Sequence, residues 1–315
     1  MNKAESTASL IDLKTGAIRA TLPTGQGPHE AATSPDGKYA LITNYGTAEA
    51  AGSSLTLVDI SAARTLKTIE LASYQKAHGV RWLKDGKTAV VTAEASQALL
   101  VIDVFEGSVR HTIPTGQAVS HMVTVTPDER RAFVANIGSG NVTVIDLTKG
   151  ETIRNIVTGA GAEGIDITPD GKEVWVTNRQ TDTVSVIDTE RLEVVETLES
   201  KSFPIRAKAT PDGKHVLVSN ARSGEIAVFS TEARKEVRRV KIPLEAGGTE
   251  GRLFGAQFGA SSVPIGIVIH PDGTRAYIAN SNADAVAVLD LQEWKVIGTL
   301  KAGKEPDGMA YSPVD

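Results

Sequence analysis

The chain has 315 residues, a net charge of −5 and no cysteine. Charges of both signs are interspersed, so no basic surface is predicted for nucleic acid. The lack of cysteine excludes disulfides, thiolate catalysis and cysteine-ligated zinc, and no apolar run is long enough to span a bilayer. We therefore expect a protein that binds no nucleic acid and has no membrane span.

The first residues resemble the end of a repeat unit. Residues 9–13 and 17–22 have strand patterns, and Asn2 precedes Asp12 by ten residues, as Asn178 precedes Asp188. The first ten residues contain no apolar signal-peptide core. We expect that the natural precursor begins upstream with a further strand, the alternative being a blade whose second strand is short or absent.

The clearest unit covers residues 164–198. It contains strand patterns at 164–168, 174–177, 184–188 and 192–198, and the first two are separated by the turn sequence Pro169-Asp170-Gly171. Proline presets φ for such a turn, and aspartate and glycine suit a tight reversal. The unit is therefore predicted to be four short strands.

This unit recurs along the chain. The turn prolines and one equivalent lysine are spaced by 49, 43, 42, 42, 60 and 42 residues, and they are Pro35, Lys84, Pro127, Pro169, Pro211, Pro271 and Pro313. Four strands in a unit of about 42 residues are typical of a propeller blade, whereas a β-sandwich would need turns but not this period. We predict a single all-β domain over 1–315, a seven-bladed β-propeller with four-stranded antiparallel blades. N- and C-terminal strands in blade seven would close the ring.

The residues after the turns point to a family. The segments AYIAN (276–280) and VWVTN (174–178), together with the PDG turns, resemble the YVTN-repeat β-propeller family over nearly the whole chain. The resemblance implies the propeller fold but not one function, because such folds serve many tasks. Members are often exported, so the resemblance implies a periplasmic or extracellular location. We also expect a monomer.

An insertion at residues 243–263 explains the 60-residue spacing. It is rich in glycine but lacks the GK[ST] ending of a phosphate-binding loop. One interpretation is a flexible surface loop. The other is a lid over the axis, in which Arg252, Phe254 and Phe258 contact a ligand together with Arg206 on the mouth.

One set of residues suggests chemistry. Six residues before each turn position the chain enters an innermost strand, and these positions hold His29, His78, His121, Glu163, Ile205, Ile265 and Asp307. Equivalent positions of a propeller lie on one circle, so the three histidines are expected on an arc. Three imidazoles suit copper, zinc or iron and leave a coordination position open.

The flanking carboxylates extend this hypothesis. Glu163 and Asp307 would orient the imidazoles, or one of them would instead be a metal ligand or a catalytic acid or base. Alternatively, the histidines are structural and bond to the backbone of a neighbouring blade. His29-Glu30 begins like an HExxH motif, but the fifth residue is Thr33, so no zincin site is predicted.

Two functions follow from these residues. The first is an exported binding protein that uses the axial mouth and the 243–263 loop to hold a small molecule or a protein, with or without a transition metal at the histidine arc. The alternative is a metal-dependent oxidoreductase or lyase with His29, His78 and His121 as ligands. No other cofactor is expected.

Overall fold

The structure, a computed structural model, describes residues 1–247 and 250–314. Within these residues the strands form six four-stranded antiparallel blades and one two-stranded sheet. No helix of this part of the chain is long and apolar enough to cross a membrane. Gly248, Thr249 and Asp315 lie outside the described residues, so the predicted 243–263 loop is described except for two positions.

The elements follow each other in chain order. The two-stranded sheet contains β1 (Thr7–Ile11) and β2 (Ile18–Pro23). The blades are blade 1 with β3 (Pro28–Thr33), β4 (Tyr39–Gly46), β5 (Ala51–Asp59) and β6 (Arg64–Glu70); blade 2 with β7 (Ala77–Trp82), β8 (Thr88–Ala93), β9 (Ala98–Asp103) and β10 (Ser108–Pro114); blade 3 with β11 (Ser120–Val125), β12 (Arg131–Asn136), β13 (Asn141–Asp146) and β14 (Glu151–Val157); blade 4 with β15 (Ala162–Ile167), β16 (Glu173–Asn178), β17 (Thr183–Asp188) and β18 (Glu193–Glu199); blade 5 with β19 (Pro204–Ala209), β20 (His215–Asn220), β21 (Glu225–Ser230) and β22 (Lys235–Lys241); and blade 6 with β23 (Pro264–Ile269), β24 (Arg275–Asn280), β25 (Ala285–Asp290) and β26 (Lys295–Lys301). The described residues also contain three short 3-10 helices, η1 (Lys3–Glu5), η2 (Glu94–Ser96) and η3 (Gly255–Phe258).

Local sequence explains the regular blades. In blade 4 the turn between β15 and β16 has Gly171 at φ +74°, and the Thr168 hydroxyl donates to Asp170 at 2.7 Å. At the turn between β17 and β18 the Asp188 carboxylate accepts the backbone N–H groups of Glu190 and Arg191. Asp103, Asp146 and Asp290 each accept two backbone N–H groups at the same place, and Asp59 accepts one, from Ala62. These aspartates therefore stabilise the turns between the third and fourth strands through backbone hydrogen bonds.

The core lies between neighbouring blades. The second strands are almost wholly buried, and the fourth strands are mostly exposed. The first strands of consecutive blades contact each other around the axis. Gly79 and Gly164 allow this approach, because a Cβ there would lie 2.7 Å from the His121 carbonyl oxygen and 2.5 Å from the Arg206 Cα, respectively. Side chains at the start of these strands are therefore brought together.

The repeated asparagine ties the second strand to the third. The Asn178 side-chain amide donates to Thr183 and Ser185 at 3.1 and 3.0 Å. Asn2 donates in the same way to Thr7 and Ser9 at 2.9 and 2.8 Å. Asn2 thus occupies the place of the last residue of a second strand, beside β1. Whether the natural precursor begins upstream stays a prediction.

The prediction of seven four-stranded blades is wrong. Residues 302–314 form no strand, and the ring has six four-stranded blades beside the two-stranded sheet. The segment 307–314 lies alongside one edge of β3. The Gly308 N–H donates to the His29 carbonyl at 2.8 Å, and the Thr33 hydroxyl donates to the Tyr311 carbonyl at 2.9 Å. Its other side faces a groove rather than a strand. Because no strand forms hydrogen bonds with that side, the segment forms no sheet although its sequence is strand-like.

The ends of the chain meet without a shared blade of four strands. The Met1 amino group donates to the Gly308 carbonyl at 2.8 Å, and Asn2 forms a single antiparallel bridge with Pro306. The prediction that paired N- and C-terminal strands close the ring is therefore wrong. These isolated contacts join the two ends of the chain instead.

Candidate metal centre at the axial mouth

The predicted register of the innermost strands is observed. His29, His78 and His121 are each the second residue of a first strand, in β3, β7 and β11. Glu163 and Ile205 hold the same position in β15 and β19. Since these strands lie side by side around the axis, their second residues lie together at one mouth of the ring.

The three imidazoles form the predicted arc. The ring centroids of His29 and His78 are 5.0 Å apart, and those of His78 and His121 are 3.5 Å apart. His29 Nδ1 lies 2.8 Å from the Gly27 carbonyl oxygen, so the backbone of its own strand entry orients this ring. His78 is 1% exposed, and its Nδ1 has no hydrogen-bond partner in the part of the chain that the structure describes.

Sequence reasoning missed the residue that completes the cluster, Glu94. Ligand atoms of His78, Glu94 and His121 lie within 4.8 Å of one another, and all three residues are buried. The Glu94 carboxylate contacts His121 Nδ1 and accepts a 2.6 Å hydrogen bond from the Tyr45 hydroxyl. This set of two imidazoles and one carboxylate differs from the predicted set of three histidines.

The sequence contained a signal for Glu94 in a second ring of equivalent positions. The residue that directly follows the repeated asparagine, or Ala93 in blade 2, is Tyr45, Glu94, Ile137, Arg179, Ala221 and Ser281, and Lys3 follows Asn2 in the same way. Four of these residues reach the mouth, namely Lys3, Tyr45, Glu94 and Arg179. Reading this register beside the histidine register would have placed Glu94 next to the imidazoles.

Buried ion pairs surround the histidines on one side. Glu163 lies 2.6 Å from Arg179, 3.2 Å from Arg206 and 3.4 Å from His121 Nε2. Arg206 also pairs with Glu30 at 2.8 Å. Arg206 therefore connects blade 5 with blades 1 and 4 across the axis, and its charge is already matched by buried carboxylates.

Asp307 lies in the same cluster although its segment forms no strand. Its carboxylate is 3.6 Å from Lys3 Nζ, 3.8 Å from Arg206 and 4.0 Å from His29 Nε2. The structure thus brings together the five polar residues of the predicted register and Arg206, and adds Lys3. Whether Glu163 and Asp307 take part in catalysis stays a prediction.

The surroundings give the imidazoles different proton affinities. Burial lowers the pKa of His29 to about 4 and holds the pKa of His78 well below its usual value. Burial also opposes protonation of His121, but the Glu94 and Glu163 carboxylates raise its pKa overall. Two of the three imidazoles are therefore neutral at pH 7 and have a lone pair available for a metal.

The carboxylate beside His121 is held in its ionised form. Burial would raise the pKa of Glu163, but its contact with His121 and the charges of Arg179 and Arg206 lower it to about 2. Glu163 thus balances positive charge at neutral pH.

The 243–263 loop packs beside this mouth. Phe254 and Phe258 stack with centroids 5.3 Å apart, and Phe258 contacts Phe203 at 5.0 Å. Arg179, the partner of Glu163, lies 5.3 Å over the Phe203 ring and connects the loop to the charged cluster.

Arg252 fixes the loop to blade 6. It donates two 2.7 Å hydrogen bonds to Asp284. Phe258 is 5% exposed in the described part of the loop, which is typical of a packed segment rather than a loosely attached one. The roles of Arg206, Arg252, Phe254 and Phe258 as ligand contacts stay predictions.

Comparisons with known proteins agree on the fold. Hydrazine synthase of Kuenenia stuttgartiensis superimposes with a TM-score of 0.76 at 20% identity, over 91% of this chain and 90% of that chain. A functionally unknown protein from Desulfotomaculum acetoxidans superimposes with a TM-score of 0.80 at 14% identity, over 100% of this chain and 98% of that chain. At such low identities the similarity shows the fold alone. No curated protein matches the chain.

The family comparison goes further than the structural ones. It supports the β-propeller part of the resemblance described above, whereas the YVTN repeat itself is not shown. The sequence profile of the YNCE-like beta-propellers matches residues 76–250, more than half of the 315 residues, and the chain therefore belongs to this family.

Proposed function

We propose that this propeller is a metal-binding protein that holds one divalent transition-metal ion at its axial mouth through His78, His121 and Glu94. The observation that carries the proposal is the convergence of their ligand atoms within 4.8 Å in a buried cluster. Two nitrogen donors and one carboxylate suit zinc, copper(II) or iron(II), and a three-residue set leaves a position for water or a ligand.

An unpartnered nitrogen supports this proposal. Among the described residues, His78 Nδ1 is buried and forms no hydrogen bond, and such a group costs free energy unless something satisfies it. A bound cation would satisfy an imidazole nitrogen of this kind. The low pKa of His78 favours the same conclusion, because a neutral imidazole needs no proton removed before it coordinates.

The surrounding contacts suit the orientation of metal ligands. The Tyr45 hydroxyl holds one Glu94 oxygen, and burial and the nearby Glu94 raise the pKa of Tyr45, so the hydroxyl remains a donor. Glu163 lies beside the other ligand, His121. Outer residues of this kind fix the direction of metal ligands in known sites.

The enzyme alternative rests on the same residues and has weaker support. A general acid or base works best with a pKa near the working pH, and Glu163 has a pKa of about 2. Glu163 is better suited to holding charge than to moving protons. Binding therefore ranks above catalysis, and the loop at residues 243–263 would supply the wall for a ligand at the open metal position.

The test is elemental analysis after incubation with Zn(II), Cu(II) or Fe(II) and removal of excess metal. We expect one ion per chain in the wild type, and loss of that ion in His78→Ala and Glu94→Gln. His111→Ala is the matched control, because His111 is exposed on β10, outside the cluster. A wild type that retains no metal, or a Glu94→Gln variant that retains it fully, contradicts the assignment.

A further inference from the structure

A second group of charged side chains lies at the other end of the axis. The fifth residue of each first strand comes three positions after the histidine register, so it lies about 10 Å farther along its strand. In blades 1 to 6 these residues are Ala32, Arg81, Thr124, Asp166, Lys208 and Val268. The polar and charged ones come from the four consecutive blades 2 to 5, and we call Arg81, Thr124, Asp166 and Lys208 the far-end set.

Two cations of the far-end set share one buried carboxylate. Asp166 is 6% exposed, and its Oδ2 lies 3.2 Å from the Lys208 ammonium and accepts the Ala209 N–H at 2.9 Å. Its Oδ1 lies 3.9 Å from Arg81 Nη2. No other carboxylate of the described residues lies within 4.0 Å of either cation. One of the two positive charges is therefore unmatched.

Hydrogen-bond donors are also in excess here. Within the described residues the Arg81 guanidinium donates only to the Val80 carbonyl, at 3.0 Å, because 3.9 Å from Asp166 is too long for a hydrogen bond. Thr124 is 2% exposed, and its hydroxyl forms no hydrogen bond with any residue that the structure describes. Since Arg81 extends from blade 2 toward Asp166 in blade 4, Thr124 of blade 3 lies between them. The far-end set thus has room for an acceptor.

We propose that the far-end set binds one small oxyanion, the carboxylate or phosphate group of a ligand, through Arg81 and Lys208 with the Thr124 hydroxyl as a further donor. A guanidinium presents paired N–H groups that match two oxygens of such a group, and an ammonium adds a point charge. The side chains of Arg81 and Lys208 are 29% and 33% exposed, so a ligand can reach both from solvent.

The two ends of the axis differ in their charge balance. At the histidine mouth Arg206 is paired with both Glu30 and Glu163, and the remaining donor set of imidazoles and Glu94 suits a cation. At the far end a single carboxylate faces two cations, which suits an anion. The far-end set contains no ligand of the proposed metal ion, so anion binding there does not depend on metal at the mouth.

The probes are inorganic phosphate and butyrate, added separately to the full chain in a buffer of low ionic strength. A neutral chelator is present, so that no metal ion at the mouth can hold the anion instead. We expect saturable binding of at least one probe by isothermal titration calorimetry. Binding of phosphate alone would assign a phosphate group to the ligand, and binding of butyrate alone would assign a carboxylate.

Two variants with opposite expected effects distinguish an anion site from a purely structural ion pair. Arg81→Gln removes a charged donor and should lower the affinity about tenfold. Asp166→Asn keeps an oxygen for the Ala209 N–H but removes the competing negative charge, so the affinity should rise about tenfold. If Arg81→Gln does not fold, Lys208→Gln replaces it, because Lys208 is the more exposed of the two cations.

Lys172→Gln is the matched control. Lys172 lies in the turn after β15, at the same end of the axis, and its exposed side chain pairs with Asp170. This variant should bind the probes like the wild type. The absence of saturation with both probes would overturn the proposal, and so would an unchanged affinity in Arg81→Gln and Lys208→Gln. An equal loss in Lys172→Gln would show that the anions respond only to the general surface charge.

Discussion

The two halves of the mouth use one backbone position for different purposes. In blades 1–3 the second residue of the first strand is histidine, and the imidazoles of blades 2 and 3 meet the Glu94 carboxylate of η2. In blades 5 and 6 it is Ile205 or Ile265, which pack with Phe258 of the insertion loop. The repeat therefore supplies equivalent positions, and single side chains decide whether a position holds charge or builds core.

The largest expected effect comes from the residue that joins the halves. Arg206→Met leaves Glu30 and Glu163 buried without their shared cation, and breaking a buried pair in this way costs about 3–5 kcal/mol. The measurement is the free energy of unfolding from urea titration.

Arg238→Met is the control for this variant. Arg238 is exposed on β22, so its replacement should change stability by no more than about 0.5 kcal/mol. If Arg206→Met proves as mild as the control, the two halves do not depend on this cation.

The apolar half should respond to cavity formation. Phe258→Ala removes a ring that is 5% exposed and contacts Phe203 and Phe254, so we expect a loss of about 3 kcal/mol. Metal content should stay unchanged, since the histidine half does not include this ring. Thermal unfolding of one preparation measures the loss of stability, and elemental analysis of the same preparation measures the metal content. Loss of metal in this variant would contradict the division of the mouth into an apolar half and a histidine half.

The metal affinity of the histidine half should fall when the Tyr45 hydroxyl is removed. Tyr45→Phe deletes the donor to Glu94 and should lower metal affinity about 10- to 100-fold with little change in stability. Competition with a coloured chelator measures this affinity. Tyr74→Phe is the matched control, because its hydroxyl contacts Thr112 on an outer strand. Equal affinities in both variants would show that Tyr45 does not orient Glu94.

The smallest effect concerns the attachment of the loop. Burial opposes ionisation of Asp284, but its hydrogen bonds with Arg252 lower its pKa overall. A carboxyl with a lowered folded-state pKa stabilises the fold above its unfolded pKa of about 3.9, and this contribution is lost as the pH falls through the lower folded value. Asp284→Asn should therefore cost up to about 1 kcal/mol at pH 7, and this cost should shrink as the pH falls below about 3.9. Thermal unfolding of wild type and variant across this range should converge at acid pH, and a constant difference would contradict the assignment.

The sequence predicted the repeat well because its signals are local. The Pro169-Asp170-Gly171 turn and the alternating strands around it depend on neighbouring residues, so they could be identified without a structure. The blade count failed because it depends on a non-local condition. Residues 307–314 have a suitable sequence, but no segment of the described chain pairs with their free side.

The candidate site shows the same limit. His29, His78 and His121 share one register, so their proximity followed from the period. Glu94 lies in a short 3-10 helix and not at the strand position that the histidines share. The spacing of the histidines therefore did not predict it. Arg206 was predicted to contact a ligand. Its hydrogen bond with Glu30, a residue 176 positions away in the chain, depends on tertiary packing that the local sequence does not show.

The position of Arg206 has a consequence for how the ring opens. Because its guanidinium bonds blade 1 and blade 4 from blade 5, local unfolding of blade 5 removes a counter-charge from both carboxylates. Local unfolding of blade 1 or blade 4 likewise removes a counter-charge from Arg206. Distant blades should therefore unfold as one cooperative unit, in contrast to a repeat array in which each unit senses only its nearest neighbours. An ion bound beside His121 would strengthen that linkage, so protection from hydrogen exchange should rise in blade 4 as well as in the blades that supply its ligands.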